Sequence, residues 1–215
     1  MLSIIQAAGW PIWPLIACSV LALTLVIERF ISLRTSRVAP QRLLAEVLGL
    51  TRSALPAPEV VNQLEAHSAL GEVLASGLRA LNSNPRCSDQ DLRAQMEGAG
   101  RLVARRLERY LSALATIASA APLLGLFGTV IGMIEIFGSQ APGTAAAAAN
   151  PAQLAHGISV ALYNTAFGLV IAIPSLIFWR YFRARVDGYL LTLELSADRL
   201  ARHLQQLRNT RGGAA

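Results

Sequence analysis

The sequence predicts an all-α membrane protein with three transmembrane helices. The second and third continue as long cytoplasmic helices, and a cytoplasmic helical segment lies between the first two spans. Two observations lead to this fold class. Hydrophobic residues make up 53% of the 215 residues and charged residues only 15%, which differs from the balance of a soluble domain. Three long segments also lack charged residues, and each exceeds the roughly 20 apolar residues that cross a bilayer.

The predicted elements divide the chain into six consecutive parts. They are a periplasmic N-terminus with the first span (1–32), a cytoplasmic helical domain (33–110), the second span (111–138), a periplasmic connection (139–156), the third span (157–180) and a cytoplasmic C-terminal helix and tail (181–215).

The orientation of these parts follows from the arginines. All 19 basic residues are arginine, none precedes Glu28, and none lies in the connection 139–156. Because cytoplasmic segments carry the excess of positive charge, we expect a periplasmic N-terminus and a cytoplasmic C-terminus. The net charge of +6 is therefore a topology signal. Since arginine alternates with acidic residues instead of forming a base-reading patch, we expect no nucleic-acid binding.

Helices are also predicted between the first two spans. One begins after Pro40 and ends near residue 53, and a second runs from 59 to 81 with Val60, Leu64, Leu70, Val73, Leu74 and Leu78 as its packed face. Ser88 and Asp91 form a capping-box-like start to a third helix, whose packed face includes Met96, Leu102, Val103 and Leu107. No stop signal follows before Pro122, so this helix and the second span are expected to form one rod with a kink there. Pro174 is the matching candidate kink in the third span.

Two stripes of small residues cross the membrane, each with a hydroxyl. The second span carries Gly125, Gly128, Thr129 and Gly132, and the third carries Ala161, Thr165, Gly168 and Ala172. Small residues on membrane helices allow close approach of another backbone. Counting about 1.5 Å per residue from the span ends places the two threonines at similar depth. They either line a narrow polar route or hold helices together by hydrogen bonds.

The sequence contains no recognisable catalytic or metal-binding set. Its three histidines, His67, His156 and His203, are isolated, and no nucleophile elbow or phosphate loop is present. We therefore expect no enzyme, no cofactor and no metal site. Glu135 is the only acidic residue in the outer half of a span, and intramembrane acids are functional candidates by default.

Both membrane motifs resemble those of a known family. Residues 122–134, PLLGLFGTVIGMI, resemble the second-span signature of the MotA/TolQ/ExbB proton-channel family. The third span resembles the family's third-span signature at Ala161-Leu162, Thr165, Gly168-Leu169 and Ala172-Ile173-Pro174. Three spans with an outward N-terminus match the ExbB/TolQ branch, whereas the flagellar MotA branch has four.

This resemblance implies a homopentamer in the bilayer of the bacterial inner membrane. Its second and third spans would line a pore around an ExbD-like single-span partner that carries an intramembrane aspartate. Proton flow would then drive a TonB-like transducer and nutrient import across the outer membrane. On that mapping Thr129 and Thr165 correspond to the family's pore hydroxyls.

One position departs from the family pattern. Many ExbB and TolQ members carry Glu five positions before the third-span threonine, and this chain has Val160 there. If the partner's aspartate carries the proton, the polar lining would be Thr129, Thr165, Ser159 and Asn164. If the missing acid is obligatory, the chain is a non-conducting scaffold. Glu135, repeated five times, is either a cation-attracting ring or an interfacial residue.

The sequence thus leaves several functions open. The leading one is an ion-driven motor subunit of the TonB-dependent type, with TolQ-like and gliding-type motors as variants. A structural scaffold is the second. An autonomous secondary transporter ranks last, because such proteins are built from inverted repeats with broken helices and no repeat is visible here.

Overall fold

The computed structural model describes residues 10–53, 55–85, 87–138 and 151–212. Within these ranges all regular secondary structure is helical, in the elements α1 (Ile12–Ser32), α2 (Thr35–Val38), α3 (Leu43–Ser53), α4 (Pro58–His67), α5 (Ala69–Ser83), α6 (Asp89–Glu108), α7 (Leu111–Gly138) and α8 (Pro151–Gly212). Three apolar stretches, in α1, α7 and α8, are long enough to span a membrane. The predicted all-α class with three such helices is confirmed.

The described residues form two compact units. The first unit comprises Met1–Arg29 and Tyr110–Tyr181, and the second comprises Phe30–Arg109 and Phe182–Ala215, each as far as its residues are described. The first unit therefore holds the apolar helices that carry the candidate site.

The core of the first unit is formed by small and branched side chains from all three apolar helices. Leu15, Ala121 and Ala172 are in contact and at least 94% buried, with Leu124 and Ile171 packed against them. Large apolar side chains cover the outer faces of the helices, and examples are Leu123, Ile134, Leu162, Val170 and Ile177. Such faces suit a lipid or protein environment and not water.

The prolines of the two longest apolar helices lie inside those helices. Pro122 is within α7 and Pro174 is within α8. Each removes one N–H from the helical hydrogen-bond ladder, which weakens the helix locally. A kink at either position stays a prediction.

The second unit is built around α5. Leu70, Val73, Leu74 and Leu78 of this helix are almost completely buried. Both α4 and α6 pack against α5. The C-terminal part of α8 adds further core residues, which are Phe182, Val186, Leu193 and Leu200.

The helix predicted over residues 59–81 is wrong in one respect, because it is two helices. Ser68 is extended, with φ −163° and ψ 162°, and its Oγ accepts a hydrogen bond from the N–H of Gly71 at 3.0 Å. This serine therefore ends α4 and caps α5. The break shifts the buried face of α4, so that Val61 is buried and the predicted Val60 is exposed.

The start of α6 confirms the predicted cap, and the predicted rod formed by α6 and α7 stays a prediction. Ser88 and Asp91 form a reciprocal capping box, in which the Ser88 Oγ accepts from the Asp91 N–H at 3.0 Å. Arg109 and Tyr110 form a turn between α6 and α7, and Arg109 keeps helical dihedral angles, with φ −45° and ψ −42°. The prediction that Leu102 is packed was also wrong, since it is exposed and its neighbour Val103 is fully buried.

Helix α8 runs without interruption from Pro151 to Gly212. The predicted continuation of the third span into a C-terminal helix is therefore confirmed. The predicted connection 139–156 lies outside the described residues up to residue 150, whereas 151–156 already belong to α8. Pro151 stands at the first helical position, where its missing N–H costs nothing.

Candidate ion pathway at α7 and α8

Helices α7 and α8 approach each other closely at glycines. A Cβ placed on Gly168 would lie 2.6 Å from the carbonyl oxygen of Ala121, and one on Gly125 would lie 2.7 Å from that of Asn164. Real Cβ atoms essentially never approach below 3.0 Å. Only glycine fits at these two positions without movement of the backbone.

The remaining predicted packing residues continue this α7–α8 interface. A Cβ on Gly132 would lie 3.1 Å from the Cβ of Ala161, and Gly128 faces the side chain of Asn164. Ala172 is buried beside Ala121. The two small-residue stripes therefore contact each other within one chain. Sequence reasoning missed Ala121, although its spacing of four residues from Gly125 was an available signal.

Thr165 differs from every other threonine whose side chain the structure describes. Its Oγ1 is buried and makes no hydrogen bond with the described residues. The hydroxyl of every other described threonine takes part in a hydrogen bond; these residues are Thr24, Thr35, Thr51, Thr116, Thr129 and Thr192. Leaving a buried hydroxyl unsatisfied costs about 1–3 kcal/mol. The Thr165 hydroxyl is thus the one that gains most from a polar group supplied by another molecule.

Thr129 has a different environment. Its Oγ1 donates to the Leu126 carbonyl at 2.7 Å, the usual arrangement for a hydroxyl within a helix. The residue is partly exposed and borders a shallow groove of about 530 Å³. The groove is lined by Thr129, Val130, Met133, Ile134, Phe137 and Gly138. These lining residues give an apolar surface with one hydroxyl.

The contacts between the helices fix the relative depth of the two threonines. Thr165 lies against Gly125, because a Cβ on that glycine would be 3.0 Å from the Thr165 Cα. Thr129 is four residues further along α7, so the two threonines are within about 6 Å along the helix axis. Their surroundings are nevertheless unlike, since one hydroxyl is satisfied by its own helix and the other is not.

The other predicted pathway residues are not gathered around one point. Asn164 is only 2% exposed and lies in the α7–α8 interface. The Ser159 hydroxyl is exposed and donates to the Ala155 carbonyl at 2.9 Å. Glu135 is exposed in the last turn of α7. The side chain of Val160 lies outside the described residues. Among the residues that the structure describes, no group of three potential metal ligands is found.

Comparison with known proteins identifies the class. The sequence model of the MotA/TolQ/ExbB proton channel family matches residues 65–195. The match covers the α7–α8 interface and about half of the second unit. The chain belongs to the MotA/TolQ/ExbB proton channel family.

Particular relatives carry ExbB and TolQ names. The biopolymer transport protein ExbB-like 3 of Synechocystis is 33% identical over 179 residues, which is 83% of each chain. The biopolymer transport protein exbB1 of Vibrio cholerae is 33% identical over 79% of this chain and 73% of its own length. The Tol-Pal system protein TolQ of Pseudomonas aeruginosa is 34% identical over 56% of this chain and 54% of its own. The similarity to the ExbB-like 3 and exbB1 proteins extends over most of this chain and most of each relative.

Proposed function

We propose that this chain is the proton-channel, or stator, subunit of a bacterial inner-membrane motor that uses the proton gradient to energise TonB-dependent transport across the outer membrane. Family membership and the ExbB-named relatives support an energy-transducing motor subunit. The observation that carries the site assignment is the buried, unbonded hydroxyl of Thr165. Within this proposal the chain is not an enzyme and acts by conducting and coupling protons.

Thr165 is the principal pathway residue in this proposal. A hydroxyl both donates and accepts hydrogen bonds, so it can bind a carboxylic acid or a carboxylate. A partner carboxyl that reaches Thr165 would therefore be held in both protonation states. Thr129 is secondary, because its hydroxyl must first leave the Leu126 carbonyl.

The titrating group then belongs to a partner. Among the described residues of the first unit, the carboxylates are Glu28, at the end of α1, and Glu135, near the end of α7. Neither is close in sequence to Thr165, and position 160 is valine. An ExbD-like single-span protein with an intramembrane aspartate supplies the missing acid. Glu135 serves in this scheme as an outer cation-attracting residue.

Assembly as a homopentamer requires surfaces that remain free within one chain. The glycine faces of α7 and α8 are occupied by each other. The exposed faces, including the groove beside Thr129, are available to neighbouring copies and to the partner helix. In this proposal the small residues build each wall of the pore and the exposed faces join the walls. A TonB-like protein would receive the resulting motion.

A TolQ-like motor is the second candidate. The 34% identity to a Tol-Pal system protein TolQ supports it, although that match covers only 56% of this chain. A non-conducting scaffold is the third candidate, and the valine at position 160 favours it.

Reconstitution separates these candidates. The chain is co-purified from its native host with its membrane partners, and proton flux into liposomes is measured under an imposed pH gradient. Flux that disappears when the partner's intramembrane aspartate is changed to asparagine supports the motor. No flux from an intact complex of native stoichiometry supports the scaffold. Recovery of a TonB-like or a Tol-type protein in the complex distinguishes the two motor branches.

A further inference from the structure

Arg29 is a buried cation in the last turn of α1. Its side chain is only 3% exposed. The Nε donates to one carboxylate oxygen of Glu28 at 2.5 Å, and the Nη2 donates to the other at 2.8 Å. The guanidinium also lies over the ring of Tyr110, 4.9 Å from its centroid. A buried charge is tolerated when it is paired with an opposite charge. A cation over the face of an aromatic ring gains a further favourable interaction.

The position of Arg29 on α1 extends the face that contacts the other apolar helices. The buried residues Leu15, Ala22, Val26 and Arg29 recur at intervals of seven, four and three. These intervals keep them on one side of a helix. Leu15 of this face belongs to one buried cluster with Ala121 of α7 and Ala172 of α8. Arg29 therefore lies about four turns from Leu15 on the same face of α1.

Tyr110 stands immediately before α7. It is the second of the two turn residues between α6 and α7. Its carbonyl accepts a hydrogen bond from the Leu114 N–H at 3.2 Å, which belongs to the first turn of α7. Arg29 thus contacts, through the ring, the residue whose carbonyl opens the α7 hydrogen-bond ladder.

We propose that Arg29 is a positioning residue that fixes the axial register of α7 through the ring of Tyr110. The register matters because the glycine contacts of α7 with α8 tolerate little displacement. Gly125 must stay opposite Asn164 and Thr165, and Gly132 must stay opposite Ala161. A shift of α7 would bring a larger residue against α8 and would move Thr129 relative to Thr165. The functional part of this inference rests on the proposed motor function.

Cysteine cross-linking measures the register directly. In a chain with Cys18 and Cys87 changed to alanine, the pair Gly132→Cys and Ala161→Cys is introduced and oxidised in membranes. A Cβ on Gly132 lies 3.1 Å from the Ala161 Cβ, close to the separation of about 3.5–4.5 Å in disulfides. The unaltered α7 should therefore give a high cross-link yield.

Tyr110 variants test the ring contact while Arg29 stays in place. Tyr110→Leu removes the aromatic face, and we expect the cross-link yield to fall by about fivefold. Tyr110→Phe keeps the ring and should retain the full yield. Trp13→Leu, at an exposed aromatic residue of α1, is the matched control and should also retain it. Arg29→Lys, which keeps charge but not the planar guanidinium, should resemble Tyr110→Leu.

Two results would overturn the positioning role. One is an undiminished cross-link in Tyr110→Leu, and the other is an equal fall in Tyr110→Phe, which would implicate the hydroxyl and not the ring. Energised uptake is measured in the same variants without the introduced cysteines, and should fall with Tyr110→Leu and persist with Tyr110→Phe. The cross-link needs no transport activity, so its outcome is independent of whether the unmodified chain supports uptake, which tests the motor function separately.

Discussion

The side chain of Asn164 fills the space that Gly128 leaves beside it. A Cβ on Gly128 would lie 2.8 Å from the Asn164 Cβ and 2.9 Å from its Nδ2. Because Asn164 is almost fully buried, its amide has little freedom to move away. The pair therefore sets the closest approach of α7 and α8 near the middle of the candidate site.

Gly128→Ala should destabilise the isolated protein by about 1–3 kcal/mol, as overpacking usually does. Adding Asn164→Ala to Gly128→Ala should not restore the stability, because alanine keeps the Cβ that makes the nearest contact. Adding Asn164→Gly to Gly128→Ala should restore most of the lost stability, because this change removes that Cβ. Thermal unfolding in detergent compares the unaltered chain, Gly128→Ala and the two double variants. Equal stability of the two double variants would contradict the assignment of the clash to the Asn164 Cβ.

Gly168→Ala and Gly188→Ala, two changes in the same helix, should have opposite effects. At position 168 the new Cβ meets the Ala121 carbonyl at 2.6 Å, and at 188 nothing lies within 4 Å. We expect the first change to cost about 1–3 kcal/mol, and the second to gain roughly 0.5–1 kcal/mol from helix propensity. Melting temperatures in detergent provide the measurement. A similar loss at both positions would show that glycine is needed for flexibility and not for close packing.

Thr165→Val should separate stability from function. The change removes a buried hydroxyl that has no partner among the described residues and keeps the shape of the side chain. Stability should stay equal or rise by about 1 kcal/mol, because the cost of the unsatisfied hydroxyl disappears. Proton-gradient-dependent uptake should be lost. Thr165→Ser should retain it, and Thr116→Val, at a hydroxyl bonded to its own helix, is the control that should change neither.

Ser68→Ala should weaken the second unit by about 1 kcal/mol through loss of the α5 cap. The hydroxyl of Ser68 bonds the Gly71 N–H at 3.0 Å and is buried. Ser83→Ala, at the exposed last residue of α5, is the matched control. Urea unfolding followed by circular dichroism measures the difference, and equal midpoints for the two variants would refute the capping role.

The ion pair between α4 and α5 predicts a small pH dependence. Hydrogen bonding by Arg79 lowers the pKa of the Glu65 carboxyl below its ordinary value. A lowered folded-state pKa contributes stability above the unfolded pKa, and this is lost as the pH falls through the folded value. Both side chains are more than one-third exposed, so screening limits the effect to about 0.3 kcal/mol. Below pH 5, Glu65→Gln should flatten this part of the stability profile and salt should diminish it.

Local sequence patterns predicted the elements well because the signals are local. Charge-free segments marked the three apolar helices, and the Ser88 and Asp91 pair marked the beginning of α6. The break at Ser68 escaped because a single serine inside an apolar pattern is compatible with a continuous helix. Its position depends on the close contact of α4 with α5, where a Cβ on Gly71 would meet the Leu64 carbonyl at 2.0 Å.

The candidate site was predictable in its composition and not in its pairing. Small-residue spacing indicated that α7 and α8 each approach another helix. It could not indicate that they approach each other within one chain, since any neighbouring copy presents the same stripes. The difference between Thr129 and Thr165 also needed structure, because it depends on whether each hydroxyl reaches a carbonyl of its own helix.

The contact between Gly125 and Thr165 also has a consequence for biogenesis. The two residues are separated by only about 40 positions, so the entropy lost on closing the intervening loop is modest. The α7–α8 hairpin can form once its second helix enters the bilayer, before any other copy is encountered. Polar groups such as Asn164 are then sheltered early from lipid. If the chain assembles as proposed, each subunit enters the assembly with its α7–α8 hairpin already folded, and association adds contacts without exchanging helices.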